Sequence, residues 1–220
     1  IDILIDFSGH MAGNRLLVFS RKPAPIQVKW VGGQFNTTGI KAFDYFISDW
    51  VETPDGEDKW YTEEVIRLPD GYVCFDPPYY APPVNSLPML SNNYVTFGCF
   101  NNLAKINKNV ITLWAKLLRS IKKSRLILIT KQFNDPKTRA KFSHLFFQEG
   151  VAKEQLELSG FLPHPELLAR YNHIDIALDP FPYSGGLTTC EALWMGVPVI
   201  TMPGPTFAGR HSATHLSNVG

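Results

Sequence analysis

The chain has 220 residues, of which 45% are hydrophobic, enough for one large domain or two small ones. Its 21 Lys and Arg against 20 Asp and Glu give a formal charge of +1, without the basic excess that nucleic-acid binding requires. No apolar run approaches the roughly 20 residues that span a bilayer, and no signal peptide is visible. We therefore expect neither a nucleic-acid partner nor a membrane association.

The three cysteines, Cys74, Cys99 and Cys190, are odd in number and far apart. This pattern favours neither a disulfide framework nor a zinc site, and it fits a reducing compartment, so we expect a cytoplasmic protein. The sequence begins without Met and stops in a predicted helix, and we interpret it as a fragment of a longer protein.

The first part of the chain predicts short strands followed by loops. Residues 1–7 predict a buried parallel strand, and His10 follows it, at the end of the strand where α/β proteins bind ligands. His10 is therefore a candidate catalytic residue, with a structural role as the alternative. Gly32 and Gly33, in the loop 31–39, either let the backbone approach a ligand or serve a tight turn. Further strands are predicted at 26–30, 43–48 and 64–68.

A segment rich in proline separates the two halves of the sequence. Residues 76–93 contain five prolines, which predict a semi-rigid, extended linker without regular structure. We therefore divide the chain into a first domain at 1–75 and a second domain at 94–220.

Beyond the linker, strands and helices alternate. Asn107 predicts a helix N-cap, and Asp135 followed by Pro136 predicts another. The alternation predicts a parallel sheet with helices on both faces, so the second domain is expected to be Rossmann-like and the first to be the back half of another such domain. Strands are expected at 94–100, 125–130, 155–159 and 174–178.

The segment 179–201 carries the clearest candidate site. Its loop places backbone N–H groups and hydroxyls at the predicted start of a helix, a pattern typical of phosphate binding; these residues are Ser184, Gly185, Gly186, Thr188 and Thr189. Glu191 follows in the first turn, where a carboxylate either caps the helix or reaches a ligand hydroxyl. A capped helix without a ligand explains the same pattern.

Three segments, 22–27, 95–106 and 178–201, resemble in their order the catalytic region of O-linked N-acetylglucosamine transferases. These form glycosyltransferase family 41, whose SPINDLY-like and bacterial members carry tetratricopeptide repeats upstream. The resemblance spans the whole chain and implies an α/β fold of GT-B type, with two Rossmann-like domains facing a cleft. Here the acceptor-side domain is incomplete, and the nucleotide-sugar-binding domain at 94–220 is truncated at its C-terminus.

The resemblance implies an inverting, metal-independent enzyme that moves N-acetylglucosamine from UDP-N-acetylglucosamine to Ser or Thr of proteins. Negative charge grows on the diphosphate as the glycosidic bond breaks, so a cation and oriented donors are needed. Lys105 matches the family lysine that neutralises this charge, and Asn102 would help to hold the same group. No metal or other cofactor is therefore expected.

The resemblance also assigns the remaining contacts of the donor. Glu191 matches the acidic residue that bonds the ribose hydroxyls, and the backbone of Phe161 and Leu162 matches the region that recognises uracil. The protein acceptor would be bound by the upstream repeats. The phosphate-binding helix start of the family matches Gly185, Gly186, Thr188 and Thr189.

Two positions depart from the family pattern. Leu187 stands where the animal enzymes have a His before the paired threonines, and Leu167 stands where a His is often found. Both changes remove possible hydrogen bonds to phosphate. Two alternatives therefore stay open: a GT-B transferase that uses UDP-glucose or another hexose on Asn or a glycan, and a nucleotide-sugar-binding domain without turnover.

Overall fold

The computed structural model describes residues 1–33 and 36–220 and divides into two compact units. The first unit comprises Ile1–Cys74 and Pro203–Gly220, and the second comprises Phe75–Met202. Residues 34 and 35 of the predicted glycine-containing loop lie outside the described residues.

The first unit is built on a four-stranded parallel sheet in the order β1-β2-β3-β4. A short helix, α1 (Leu16–Phe19), follows the first strand. All four strands predicted in this region are present, and β4 lies at a sheet edge. The prediction that the first strand is buried is wrong, because β1 is the other edge strand and Ile3 and Phe7 are more than half exposed. The strands are β1 (Ile3–Asp6), β2 (Ile26–Lys29), β3 (Tyr45–Asp49) and β4 (Glu64–Leu68).

The second unit has five parallel strands and five α-helices. The strands are β5 (Val95–Cys99), β6 (Ser124–Ile129), β7 (Leu156–Ser159), β8 (Ile176–Leu178) and β9 (Val199–Ile200). The helices are α2 (Met89–Asn92), α3 (Lys108–Ser120), α4 (Pro136–Gln148), α5 (His164–Tyr171) and α6 (Leu187–Trp194).

The strand order of this sheet is β7-β6-β5-β8-β9, which is the Rossmann order. The chain moves outward in one direction from β5 to β7 and then returns to the other side of β5 with β8. The order reverses between β5 and β8, so the loops after these two strands diverge to opposite faces and leave room for a ligand at the carboxyl edge. The predicted Rossmann-like fold is confirmed.

Two apolar clusters lie on opposite faces of this sheet. Alternate residues of β6 separate them, because Leu126 and Leu128 pack with α3 and α4, whereas Ile127 and Ile129 pack with α5 and α6. Helices therefore cover both faces, as the alternating sequence predicts.

The predicted N-caps of α3 and α4 are both present. The Asn107 side chain accepts hydrogen bonds from the N–H groups of Asn109 and Val110, at 2.9 and 3.2 Å. The Asp135 carboxylate caps α4, whose first residue is Pro136. Among the described residues, no helix has the length and apolarity that crossing a membrane would require.

The segment 76–93 differs from the predicted linker. It ends in the short helix α2. Pro88 is compatible with this helix because it stands at the N-cap, where the missing N–H costs no helical hydrogen bond. Asn85 also donates two hydrogen bonds to Asn172, at 3.2 and 2.9 Å, and the Met89 N–H donates to Asp175 at 2.8 Å. The segment is thus attached to the second unit.

The C-terminal segment contains the last helix, α7 (His211–Val219), and belongs to the first unit, contrary to the sequence-based assignment of 94–220 to one domain. Arg210 donates to the main-chain oxygen of Glu52 at 2.7 Å and to Glu57 at 2.9 Å. Thr214 donates to Asp49 at 2.6 Å. These partners lie more than 150 residues earlier, so no local pattern in the segment reveals them.

Candidate functional site

The loops after β5 and β8 are joined by one lysine. Lys105 follows β5, and its ammonium donates to the main-chain oxygen of Ser184, in the loop after β8, at 2.6 Å. The same nitrogen lies 3.3 Å from Asn101 Oδ1 and 4.4 Å from the centre of the Tyr183 ring. The structure therefore brings a cation to the point where the strand order reverses.

Burial and a nearby charge shift the pKa of Lys105 in opposite directions. Burial lowers the pKa of the Lys105 ammonium from its usual value, and the nearby Asp179 carboxylate raises it. A phosphate placed beside this ammonium would act in the same direction as Asp179 and favour the charged form. The position of Lys105 thus suits a residue that binds an anionic group.

Asp179, which directly follows β8, organises the loop that precedes α6. Its carboxylate is buried and accepts hydrogen bonds from the Gly185 N–H at 2.6 Å and from Thr201 Oγ1 at 2.7 Å. A Cβ atom on Gly185 would lie 2.5 Å from Thr189 Oγ1 and 3.0 Å from Thr188 Oγ1. Glycine is therefore required here by a close approach. The Gly185 N–H, predicted to face a phosphate, is instead bonded to Asp179.

The start of α6 presents several donors without acceptors. Gly186 is the N-cap residue, and its carbonyl accepts from the N–H groups of Thr189 and Cys190 at 2.9 and 3.2 Å. Within residues 1–33 and 36–220, the N–H groups of Gly186, Leu187 and Thr188 have no acceptor. Such groups at the positive end of a helix are a suitable site for an anion.

The two threonines of this motif have different surroundings. Thr189 is buried, with its hydroxyl against Gly185. Thr188 Oγ1 is shielded from solvent and has no hydrogen-bond partner in the described part of the chain. An unmade hydrogen bond at a shielded hydroxyl is costly, so Thr188 is the better candidate for contact with a bound phosphate.

Glu191 lies beyond the first turn of α6, in which the sequence analysis placed it, so it does not cap the helix. It is held instead by a side chain of the neighbouring helix. Its carboxylate is buried, and its Oε1 lies 2.8 Å from Nε2 of His164, the first residue of α5. The other ring nitrogen of His164 lies 2.8 Å from the Tyr80 hydroxyl. Burial raises the pKa of Glu191, and the hydrogen bond from His164 lowers it.

Three other predicted donor contacts lie on neighbouring loops. Asn102 accepts from the Ala104 N–H and from Gln132, both at 3.0 Å, so Asn101 is the neighbour that reaches Lys105. The Phe161 N–H donates to Asn134 Oδ1 at 2.9 Å, and the Phe161 side chain is exposed. Leu162 packs against the α5 and α6 cluster.

The candidate site residues predicted in the first unit contact other residues of the same unit. His10 is exposed, and its Nε2 lies 2.8 Å from the main-chain oxygen of Thr38. Gly32 has a φ of +84°, and a Cβ there would overlap the carbonyl oxygen of Phe7. The packing of the loop after β2 against the end of β1 therefore accounts for Gly32, and Gly33 follows it in the same loop.

Sequence reasoning missed several residues of this site. Asp179 could have been found, because it is an acidic residue at the carboxyl end of a predicted strand. The sequence analysis predicted Asn102 and not its neighbour Asn101, and no sequence signal connects His164 with Tyr80. In the described part of the chain, no three His, Cys, Asp or Glu side chains are grouped so that they could hold a metal ion.

The strand order defines a Rossmann-like α/β protein, and the donor-rich start of α6 is a candidate anion site at the reversal of its sheet. The model of glycosyl transferase family 41 matches residues 1–82 and 84–220, and the chain belongs to this family. The predicted family resemblance and the GT-B-type α/β fold class are confirmed.

Similar proteins are transferases by name. The probable UDP-N-acetylglucosamine–peptide N-acetylglucosaminyltransferase SPINDLY of Petunia hybrida is 41% identical over 100% of this chain and 24% of the relative. The probable transferase SEC of Arabidopsis thaliana is 30% identical over 96% of this chain and 22% of its own length. The chain thus spans about a quarter of the length of these relatives.

A solved structure resembles the chain over its full length. It is a mutant of the Thermobaculum terrenum O-GlcNAc transferase, with 44% identity and a TM-score of 0.94, covering 100% of this chain and 41% of that one. A trehalose-6-phosphate synthase, 11% identical with a TM-score of 0.60, shares the fold alone.

Proposed function

We propose that this chain provides the donor site of an enzyme that transfers N-acetylglucosamine from UDP-N-acetylglucosamine to Ser or Thr of proteins. The observation that carries the proposal is the 2.6 Å contact of Lys105 with Ser184, which brings an ammonium group beside the donors at the start of α6. Family membership and the names of the similar proteins support the same reaction.

The reaction needs stabilisation of the leaving group. When the bond from the sugar to the diphosphate breaks, its electron pair remains on a phosphate oxygen, and negative charge grows there. Lys105, the N–H groups at the start of α6 and the Thr188 hydroxyl would stabilise this charge by hydrogen bonds that strengthen in the transition state. In this scheme the protein's own donors take the role of a divalent metal ion.

An inverting transfer follows if the acceptor hydroxyl attacks the sugar on the face opposite to the diphosphate. His10, on the exposed loop after β1, stays a candidate catalytic residue of the first unit. Asn102, Gly32 and Gly33 stay candidate binding residues. Chelation of divalent metal ions should leave the transfer rate unchanged, whereas a loss of activity would contradict the metal-independent scheme.

Nucleoside recognition is proposed for two other parts of the second unit. The buried Glu191 would accept hydrogen bonds from the ribose hydroxyls, and the backbone of Phe161 and Leu162 would contact the uracil. These positions lie on α6 and on the loop between β7 and α5, both at the carboxyl edge of the sheet.

The acceptor and the cellular setting are proposals about the whole protein that carries this chain. We propose that tetratricopeptide repeats upstream bind the protein acceptor, and that the protein is a bacterial one acting in the cytoplasm. The names of the similar transferases, which include the word peptide, support a protein acceptor.

A different donor is the second candidate. Leu187 is exposed at the start of α6 and offers no side-chain hydrogen bond to a phosphate or a sugar. This favours testing UDP-glucose and other UDP-hexoses beside UDP-N-acetylglucosamine.

A donor panel tests the proposal. UDP-N-acetylglucosamine and UDP-glucose are titrated into the chain by calorimetry, and the whole protein is incubated with each donor and a protein extract, whose mass increase identifies the sugar. We expect UDP-N-acetylglucosamine to bind more tightly than UDP-glucose, and we expect N-acetylglucosamine to be the sugar that is transferred. Transfer of hexose alone would establish the second donor class, and UDP binding without any transfer by the whole protein would indicate a nucleotide-sugar-binding domain.

A further inference from the structure

We propose that His164 is a positioning residue that holds Glu191 in the orientation needed to bind the ribose hydroxyls of the nucleotide. The inference rests on the proposed function, because it deepens the role of Glu191 in the same donor site. The structure contributes a chain of three side chains, Tyr80, His164 and Glu191, whose members come from three separate segments of the second unit.

The two oxygens of Glu191 are used differently. Oε1 lies 2.8 Å from His164 Nε2, whereas Oε2 has no hydrogen-bond partner among residues 1–33 and 36–220. The Glu191 side chain is 4% exposed, so its rotation is restricted by the surrounding packing. One oxygen is thus anchored to α5, and the other is left to accept a hydrogen bond from a ligand hydroxyl.

Tyr80 determines which ring nitrogen of His164 carries the proton. The Tyr80 hydroxyl lies 2.8 Å from His164 Nδ1, and the two rings meet edge to face with centroids 5.7 Å apart. A phenol that donates to Nδ1 leaves the proton of a neutral imidazole on Nε2, which is the nitrogen that faces Glu191. His164 then acts as a donor to the carboxylate, and the carboxylate stays an acceptor.

The acceptor state of Glu191 depends on this donor. Burial raises the pKa of Glu191, and the hydrogen bond from His164 lowers it. A protonated carboxyl would present an O–H group to the ligand, and one of its two acceptor oxygens would be lost. His164 therefore supports both the orientation and the hydrogen-bonding character of Glu191.

Removal of the ribose hydroxyls separates this role from a structural one. UDP and 2′,3′-dideoxy-UDP are titrated into the wild-type chain, His164→Ala, His164→Gln and Tyr80→Phe. We expect His164→Ala to weaken UDP binding about tenfold and to leave dideoxy-UDP binding unchanged, because Glu191 would lose the charge-assisted hydrogen bond that orients it toward the ribose hydroxyls. His164→Gln, which can still donate, should restore part of the affinity, and Tyr80→Phe should fall between wild type and His164→Ala.

The control variant is His144→Ala, because His144 is an exposed histidine on α4 and should bind both nucleotides like the wild type. Equal losses for UDP and dideoxy-UDP in His164→Ala, or no loss in either, would overturn the inference while leaving the proposed function standing. Equal affinities of the wild type for the two nucleotides would overturn the inference and the ribose contact proposed for Glu191, while leaving the proposed transfer reaction standing. Failure of the wild-type chain to bind UDP would overturn both the inference and the proposed function. Melting curves identify any variant that has lost its fold, and His164→Gln then carries the test.

Discussion

The ammonium nitrogen of Lys105 lies 2.6 Å from the carbonyl oxygen of Ser184, and this contact connects the loops that follow β5 and β8. These strands are neighbours at the reversal of the sheet order, so the contact brings the cation close to the start of α6. A diphosphate bound there would share or replace the Ser184 carbonyl as the acceptor of Lys105. The geometry of the site therefore depends on the conformation of the loop around Gly185.

We expect Gly185→Ala to disturb this loop. The added Cβ would lie 2.5 Å from Thr189 Oγ1 and 2.9 Å from Asp179 Oδ1, which real Cβ atoms do not tolerate without a shift of their neighbours. Overpacking of this kind costs about 1–3 kcal/mol of unfolding free energy. Chemical unfolding measures the loss, and calorimetry should show weaker UDP binding in the variant; an unchanged stability would contradict the close packing of the turn.

Thr188→Val should have opposite effects on stability and on binding. The Thr188 hydroxyl is shielded and lacks a partner in the described part of the chain, so its replacement by a methyl group should leave stability unchanged or raise it by up to about 1 kcal/mol. Loss of a hydrogen bond to a charged phosphate should weaken UDP binding roughly tenfold. Unfolding experiments and calorimetry measure the two effects.

Thr112→Val is a matched control for that experiment. Thr112 lies exposed on α3, and its hydroxyl donates to Glu149 at 2.9 Å. We expect an unchanged UDP affinity in this variant. Weakened binding in Thr112→Val, or lower stability together with unchanged binding in Thr188→Val, would argue against a phosphate contact for Thr188.

His215, on α7, should make stability depend on pH. Burial and the nearby His211 lower the pKa of His215 from 6.5 to about 4. Between these values the unfolded state binds more protons, so the unfolding free energy should fall as the pH drops from 6.5 to 4, by up to about 3 kcal/mol. Urea unfolding at several pH values measures the slope of the unfolding free energy against pH.

The slope should be smaller in His215→Leu, which cannot titrate, than in the wild type. His144→Leu, at an exposed position of α4, provides the comparison and should keep the wild-type slope. An identical pH dependence in the wild type and His215→Leu would show that His215 does not titrate differently in the folded and unfolded states.

Much of the second unit could be predicted because its signals are local. Asn107 and Asp135 start helices through hydrogen bonds to N–H groups two or three residues later, and their residue types alone indicate this. The glycine and threonine pattern before α6 likewise places donors at a helix start. The alternation of strands and helices then indicates a parallel sheet, because parallel strands need crossover connections, but it does not give the order of the strands.

The contacts that could not be predicted are those between distant residues. Arg210 meets Glu52 and Glu57 across more than 150 residues, which explains why the C-terminal segment was assigned to the wrong unit. The contact of Tyr80 with His164 spans 84 residues, and Tyr80 lies in a segment that its prolines identified as a linker. Only packing in three dimensions brings such pairs together.

Titration of UDP and uridine into the wild-type chain and into Lys105→Met tests the central claim most directly. Methionine keeps most of the side-chain volume but removes the charge. We predict that UDP binding weakens at least about tenfold in the variant, because a charge-assisted hydrogen bond to the diphosphate is lost, while uridine binding is unchanged. Equal UDP affinities for the two proteins would contradict a diphosphate site at Lys105.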